Sequence, residues 1–433
     1  MKKILIGMIL LFCMLPVLAS AATYYVDKDS IGGTCNNNNA GTNIAAPWCT
    51  IAKATATVIS GDTVYIRAGI YTENDGSAVL RTHSSGTAGN YITFQNYNNE
   101  AVIMRNQPIG IYNNQNYIRF IGLRVENENR DTSIMEQGIR LDAGNHVIVQ
   151  YCTVYNLKKQ HYSRGIQLGE QASYYQILNN TVMYVGQRQS EGEDDLGECV
   201  WIGGTYNLVQ GNTLRYGGHN TALIGGNYNI LRRNTMDNTN WNRVMQTANP
   251  YENYRQLVED NIIRNSGEIT EWLVPNSDVQ LQASNTIFRR NRIYNSLGSS
   301  INMFASGDYT TSNVHFFHNV VYNGGTAHIA PYGYAFWIHE TDPEVFENLI
   351  IKNNIFYLHY LHDAEHDPVH QRTDIRNPNP NWDDVFCTAN HYRDDVDPRF
   401  TNPGSGDFTL QSSSPCINAG TWLTVTRSAG SGT

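Results

Sequence analysis

Val209-Gln-Gly-Asn-Thr-Leu214 and Leu231-Arg-Arg-Asn-Thr-Met236 are two copies of one phrase that recurs through the middle of this chain. Further copies are Val149-Gln-Tyr-Cys-Thr-Val154, Leu178-Asn-Asn-Thr-Val182, Val258-Glu-Asp-Asn-Ile-Ile263, Phe288-Arg-Arg-Asn-Arg-Ile293, Phe316-Phe-His-Asn-Val-Val321 and Ile351-Lys-Asn-Asn-Ile-Phe356. Aligned, the copies and the segment before them place these residues in one column: Leu123, Cys152, Asn180, Asn212, Asn234, Asn261, Asn291, Asn319 and Asn354. The column residues are separated by 22 to 35 positions, a period typical of coil repeats.

Each copy alternates apolar and polar residues, as a half-buried β-strand does. One coil cannot bury its apolar side chains alone, whereas coils stacked about 4.8 Å apart share a continuous core. Asn suits the column because it tolerates a left-handed backbone and its amide can bond to its copy in the next coil. The pattern therefore predicts an all-β solenoid.

With this Asn column, the chain resembles the right-handed parallel β-helix group, the pectin-lyase-like superfamily, over most of its length. The resemblance implies a single-stranded right-handed parallel β-helix with a short N-terminal capping helix. We place that helix near residues 51–59, with Thr50 as its N-cap. Residues 22–73 form the N-terminal cap and first coil, residues 74–356 the remaining coils, and residues 357–433 an irregular covering loop and a closing segment.

The start of the chain has the features of a secretory signal. Residues 1–21 contain Lys2 and Lys3, an apolar run from Ile4 to Leu18 and a small-residue cleavage site at 19–21. A net charge of −9 without a basic run argues against nucleic acid or an anionic membrane as partner. We expect a monomer that is exported, extracellular or periplasmic, and free of membrane segments once the signal is removed.

Six cysteines follow the signal, and export permits their oxidation. Cys35 and Cys49 bracket one polar loop, and Cys387 and Cys416 bracket another near the C-terminus. We predict these two disulfides. Cys152 and Cys199 are expected to be buried free thiols.

A second set of strands precedes the Asn column within each coil. Because strand side chains alternate, one row of these strands points outward. The predicted outward row is Arg140, Gln167, Trp201, Leu223, Gln246, Gln280, Asn302 and Trp337. Aromatic planes and amides in a row suit a glycan-binding groove, and the alternative is a merely solvated sheet face.

The residues just before these strands suggest chemistry. Glu198, His219 and Arg243 precede strands of three successive coils, and Arg164 precedes the strand before them. We predict that Glu198 orients the ring of His219, that His219 exchanges a proton, and that Arg243 or Arg164 binds a substrate carboxylate. This set suits β-elimination from an acidic, uronate-containing glycan, which makes the chain a candidate polysaccharide lyase. The alternative for His219 is a turn histidine bonded to backbone.

An acidic loop lies beside the same strand edge. Its carboxylates, Glu191, Glu193, Asp194 and Asp195, are candidate ligands for Ca²⁺, and equally suit a solvated loop. β-Helix lyases commonly use Lys or Arg as base, whereas the predicted central face here carries no lysine. A glycoside hydrolase on the same fold is the nearest rival. It needs two carboxyls flanking one bond, which these acidic residues could supply. A non-catalytic glycan-binding or adhesin-like surface protein is the third alternative.

Overall fold

The computed structural model describes residues 20–158, 163–187, 197–238, 243–247, 255–267, 277–303, 311–327, 334–338, 346–359, 375–376, 385–388 and 396–420. Three long parallel sheets run through these residues. Each coil contributes a strand to the first sheet, then the second, then the third, before the chain returns to the first. The fold is a right-handed parallel β-helix, as predicted.

The first sheet has 13 strands in the described chain. They are Thr23–Val26, Thr63–Ile66, Ile92–Asn96, Ile118–Ile121, Ile148–Gln150, Gln176–Leu178, Leu208–Gln210, Asn229–Arg232, Gln256–Glu259, Thr286–Arg289, His315–Phe317, Leu349–Lys352 and Val385–Thr388.

The second and third sheets each have 11 described strands. The second comprises Gly69–Tyr71, Val102–Met104, Arg124–Glu126, Thr153–Tyr155, Thr181–Val185, Thr213–Gly217, Thr235–Asp237, Ile262–Arg264, Arg292–Tyr294, Val320–Gly324 and Ile355–His359. The third comprises Ala78–Arg81, Ile109–Asn113, Gln137–Asn145, Arg164–Ser173, Glu198–Ile202, Asn220–Ile224, Arg243–Thr247, Val279–Leu281, Ile301–Met303, Phe336–Ile338 and Ile375–Arg376.

The Asn column lies at the turn between the first and second sheets, and its amides bond from coil to coil as predicted. The side-chain oxygen of Asn234 accepts from the backbone N–H and the side-chain amide of Asn212, both at 2.9 Å. The Asn234 amide donates in turn to Val209 O at 3.0 Å and to Asn261 Oδ1 at 3.1 Å. The same pattern continues through Asn319 and Asn354. Each column amide thus satisfies buried backbone groups that a turn would otherwise leave unpaired.

The left-handed backbone belongs to the residue before the column and not to the Asn itself, contrary to our expectation. Arg233 and Arg290 have φ of 54°, and His318 has φ of 56°. The other residues at this turn position are Gly122, Tyr151, Asn179, Gly211, Asp260 and Asn353. The chain turns at this position, and the following Asn directs its amide into the stack.

The N-terminal end of the core is covered by a short helix, Ile51–Thr55, which is shorter than predicted. Thr50 is its N-cap, with Oγ1 accepting from Lys53 N at 3.2 Å. The carboxylate of Glu73 accepts from the first two helical N–H groups at 2.9 and 2.8 Å. The predicted disulfide between Cys35 and Cys49 is present beside this end.

The C-terminal part contains strands within the predicted covering loop, followed by a hairpin in the predicted closing segment. Strands at 375–376 and 385–388 extend the third and first sheets, so the stack continues beyond Phe356. The closing hairpin, Phe400–Asn402 with Asp407–Leu410, packs Phe400 and Phe408 against Tyr294 on the second sheet.

The predicted disulfide between Cys387 and Cys416 is wrong, because Cys416 is a free, half-buried thiol. Its loop follows a hairpin on the second sheet, whereas the strand of Cys387 belongs to the first. Cys152 and Cys199 are buried and free, as predicted. Burial raises the pKa of the Cys152 thiol to about 12, which makes it unreactive at neutral pH. No helix in the described residues is long and apolar enough to cross a membrane.

Candidate functional site on the outer face of the third sheet

The predicted outward row exists residue for residue. Adjacent strands of the third sheet pair Arg140 with Gln167, Gln167 with Trp201, and Trp201 with Leu223. The pairing continues from Leu223 through Gln246, Gln280, Asn302 and Trp337. Neighbouring members are therefore about one strand spacing, roughly 4.8 Å, apart along the axis.

The three catalytic candidates Glu198, His219 and Arg243 do not all occupy paired positions on adjacent strands, as their predicted register requires. Glu198 pairs with Asn220, and Asn220 pairs with Arg243, so Asn220 and not His219 occupies the register position. His219 lies just before the strand, where its backbone N–H donates to Gly197 O at 2.8 Å. Its side chain nevertheless reaches both predicted neighbours.

The imidazole of His219 lies between a carboxylate and a guanidinium. Nε2 is 2.8 Å from Nη1 of Arg243, and Nδ1 is 3.6 Å from Oε1 of Glu198. An arginine N–H can only donate, so Nε2 accepts and the ring proton sits on Nδ1, which faces Glu198. The His219 side chain is 28% exposed and that of Glu198 is 11% exposed, so the ring is reachable while the carboxylate is largely covered.

An amide chain, not predicted from the sequence, supports this arrangement. Asn220 Nδ2 lies 3.0 Å from His219 Nδ1 and 3.2 Å from Gln246 Oε1. Gln246 donates onward to Gln282 Oε1 at 3.0 Å. Because Nδ2 only donates, it bonds to Nδ1 when that nitrogen carries no proton. With the proton on Nδ1, the Asn220 amide must present its oxygen to the ring, and Gln246 must then turn its NH2 group towards Asn220. The strand register alone identifies Asn220, once the start of its strand is known.

Arg164 joins the group from the preceding coil. Its Nε is 3.5 Å from Oε2 of Glu198, and its guanidinium stacks 4.3 Å from the ring centroid of Trp201. One face of Trp201 is therefore covered by Arg164, which leaves at most the opposite face for a sugar ring. Neither Arg164 Nε nor Glu198 Oε2 has a hydrogen-bond partner among the described residues, although both atoms are buried.

The remaining row members differ in their availability. Arg140 is held by Asp142, whose two oxygens lie 2.7 and 2.8 Å from Nε, so its charge is largely compensated. Trp337 is 9% exposed, so most of its ring is covered. Within the part of the chain that the structure describes, Gln167, Gln280 and Asn302 each retain a side-chain oxygen without a partner.

The predicted calcium ligands Glu191, Glu193, Asp194 and Asp195 lie outside the described residues. Among the residues that the structure does describe, no group of three or more His, Cys, Asp or Glu side chains is arranged to hold a metal ion. The prediction of Ca²⁺ therefore stays a prediction.

Comparison with known proteins agrees with the fold. Residues 30–197 match the family model "Pel9A-like, right handed beta helix region", and residues 188–356 match the model "Right handed beta helix region". No curated protein sequence matches the chain.

Solved structures of similar fold include carbohydrate-active enzymes. A lacto-N-biosidase from Eubacterium ramulus is 12% identical, with a TM-score of 0.51 over 86% of this chain and 67% of that one. The catalytic unit of an α-1,3-glucanase from Streptomyces thermodiastaticus strain HF3-3 is 13% identical, with a TM-score of 0.50 over 86% and 70%. The pectate lyase Pel9A is 14% identical, with a TM-score of 0.48 over 95% of both chains. At such identities the likeness concerns the fold alone. The two family matches, which together span residues 30–356, show that this chain belongs to the right-handed parallel β-helix group.

Proposed function

We propose that this protein is a polysaccharide lyase that cleaves a uronate-containing glycan by β-elimination. The single observation that carries the proposal is the partly exposed imidazole of His219, which lies between Glu198 and Arg243 at the edge of the third sheet. β-Elimination removes the proton α to a carboxylate, so it needs a base and a cation for the developing negative charge. These two functions lie 2.8 Å apart here.

Substrate binding would free Nε2 of His219 to act as the base. A uronate carboxylate can accept two charge-assisted hydrogen bonds from Arg243, which makes it a better partner than a neutral imidazole. When the guanidinium turns to the carboxylate, Nε2 of His219 loses its donor and its lone pair becomes free. Glu198 then faces the Nδ1 proton and stabilises the imidazolium that forms.

The elimination step balances without a further reagent. His219 Nε2 takes the α proton, the C–O bond at the β carbon breaks, and a double bond forms between the two carbons. The leaving oxygen carries the electron pair and gains a proton from solvent. Arg243 contacts Nε2, the atom that would take the proton, which supports its assignment to the substrate carboxylate. Arg164 contacts Glu198 on the Nδ1 side of the imidazole, where it would bind the substrate from the preceding coil.

The test is an ultraviolet assay for unsaturated ends with polygalacturonate, alginate and glucuronan. We expect the wild-type protein to produce them from at least one polymer, and His219→Ala to lower the rate by about 100-fold or more. His318→Ala, which changes a histidine at a distant turn, is the matched control and should leave the rate unchanged. Wild-type protein without any unsaturated product would refute the proposal.

The two rival functions give different readouts in the same assay. New reducing ends without unsaturation would identify a glycoside hydrolase. Retardation of the protein by the polymer in a gel, without either product, would identify a glycan-binding protein. Running the assay with a chelator and with added CaCl₂ tests the proposed Ca²⁺, since a bound ion would make activity sensitive to chelation.

We further propose that the chain acts outside the cytoplasm as a monomer. The disulfide between Cys35 and Cys49 supports an oxidising compartment. Mass spectrometry of protein recovered from the medium or periplasm should show an N-terminus from which residues 1–21 have been removed. Light scattering should give the mass of one chain. An intact N-terminus or a dimer mass would contradict the respective statement.

A further inference from the structure

The outer face of the third sheet has two chemically different halves on either side of His219. Towards the N-terminal end, guanidinium groups stand in the face or at its edge, at Arg81, Arg140 and Arg164. Towards the C-terminal end, the outward row beyond the strand of Arg243 holds only uncharged side chains as far as Trp337. A homogeneous polyuronate would present the same charge to both halves, so it would match only one of them.

The basic half can bind carboxylates. Arg81 stacks 4.2 Å from the ring centroid of Tyr112, and its side chain donates to the backbone oxygens of Asp75 and Gly76. Unlike Arg140, Arg81 has no carboxylate partner among these contacts with the described residues. This guanidinium lies about four strand spacings from Glu198, where its charge could bind a second uronate of the same chain.

The uncharged half carries hydrogen-bonding capacity that the protein does not use. Gln280 is 8% exposed, and its side-chain oxygen has no partner. The side-chain oxygen of Asn302, one strand further, is likewise unpaired. By contrast, Gln246 is engaged on both sides by Asn220 and Gln282.

A largely covered carbonyl oxygen of this kind is destabilising until a donor reaches it. The terminal torsion of an amide side chain is soft, so each carbonyl can turn outward to meet a ligand. Sugar hydroxyl groups are suitable donors, and neutral units offer them alone. A uronate unit also has hydroxyls, but its ionised carboxylate would meet carbonyl oxygens in this half of the outward row, with neither a donor nor a cation to pair with. The spacing between Gln280 and Asn302 is about one strand, comparable to one pyranose unit of an extended glycan.

We propose that the substrate is a mixed glycan, which places uronate units on the basic half and neutral, hydroxyl-rich units on the half containing Gln280 and Asn302. This inference rests on the proposed function in one respect only, namely that the glycan lies along this face. It specifies the substrate class that the elimination site would accept.

The experiment compares binding to gellan, which mixes glucuronate with neutral sugars, and to polygalacturonate, which contains uronate alone. Affinity electrophoresis on the His219→Asn variant keeps both polymers intact. We expect tighter binding to gellan. Adding Gln280→Met and Asn302→Leu should weaken gellan binding by about fivefold for each hydrogen bond lost, and leave polygalacturonate binding unchanged.

Gln150→Met is the matched control, because Gln150 lies on the outer face of the first sheet. Equal affinity for the two polymers, or an equal effect of Gln150→Met, would overturn the inference. Selective gellan binding without unsaturated product from any polymer would refute the elimination mechanism and preserve this inference. If pure polyuronate is cleaved by elimination and the Gln280 and Asn302 changes have no effect on binding, the elimination mechanism is preserved and this inference is refuted.

Discussion

At the scale of single residues, burial determines which titratable groups can react. His219 is partly exposed and bonded on both sides, whereas Asp278, at the start of the strand that follows Arg243 in the third sheet, is fully buried. Asp278 Oδ1 accepts from Ser266 N at 2.7 Å, and its other oxygen has no partner. Burial, and to a smaller degree the nearby Asp237, raises the pKa of Asp278 to about 8. Asp278 is therefore a protonated structural residue at neutral pH.

The first prediction concerns the pH dependence of stability. The folded state keeps the Asp278 proton up to about pH 8, whereas the unfolded chain releases it near pH 4. Folding therefore binds a proton in this window, and the contribution of Asp278 to stability falls as pH rises through it. Asp278→Asn removes the titration, so the variant should gain stability relative to wild type between about pH 5 and about pH 8, by up to about 4 kcal/mol.

Thermal unfolding of both proteins at the two pH values measures this difference. Asn is nearly the same size as Asp, so packing is retained. A difference between the two proteins that does not change with pH would show that Asp278 is ionised in the folded state.

At the scale of the coil, two adjacent turn positions perform different tasks. The Asn column pairs buried backbone groups, while the position before it takes the left-handed conformation. Adjacent asparagines in one turn illustrate the contrast, since Asn179 has φ of 54° and is exposed while Asn180 is buried. From the sequence alone, either residue of this pair can be assigned to the column, and only the alignment of coils selects Asn180.

A second turn shows how bulky residues tolerate the left-handed conformation. Five aromatic residues with positive φ stack at the turn between the third and first sheets: Tyr117, His146, Tyr174, Tyr206 and Tyr228. Successive ring centroids are 4.8, 5.1, 5.1 and 4.7 Å apart. Each ring is covered on its faces by its neighbours, and this stacking offsets the backbone cost of about 1–2 kcal/mol per residue.

The second prediction compares the two asparagines directly. Asn180→Ala removes the acceptor for Cys152 N and the donors to Val149 O and Asn212 Oδ1. Because buried backbone groups are left unpaired, we expect a loss of about 3 kcal/mol. Asn179→Gly should change stability by less than about 1 kcal/mol, since glycine adopts the left-handed conformation freely.

Chemical denaturation of the two variants and the wild type gives both values. The reverse order of effects would show that Asn179, not Asn180, carries the column. Equal, small effects would show that the amide column does not stabilise the stack.

At the scale of the whole molecule, strand periodicity made most of the fold and the outward row predictable from the sequence. The outward row was correct at all eight positions because alternation within a strand is strict. The exact start of each strand was not predictable, because coils differ in length between 22 and 35 residues. That uncertainty explains why the sequence predicts His219 at the register position that Asn220 occupies. The free Cys416 was missed for a related reason, since sequence proximity does not tell which sheet a closing segment covers.

The stack also explains how a site can form from residues that are far apart in the chain. Glu198, His219 and Arg243 come from three successive coils, and no single coil contains more than one of them. Their arrangement depends on parallel register, so any change that slips one strand by a residue turns these side chains to the other face.

The most direct test of the account is a crystal structure of His219→Asn bound to the shortest uronate oligosaccharide that the wild-type protein cleaves. We expect the sugar chain along the outer face of the third sheet, with one carboxylate on Arg243 and its α carbon facing position 219 at about 3–3.5 Å. An oligosaccharide bound to another face, or a carboxylate distant from Arg243, would contradict the account.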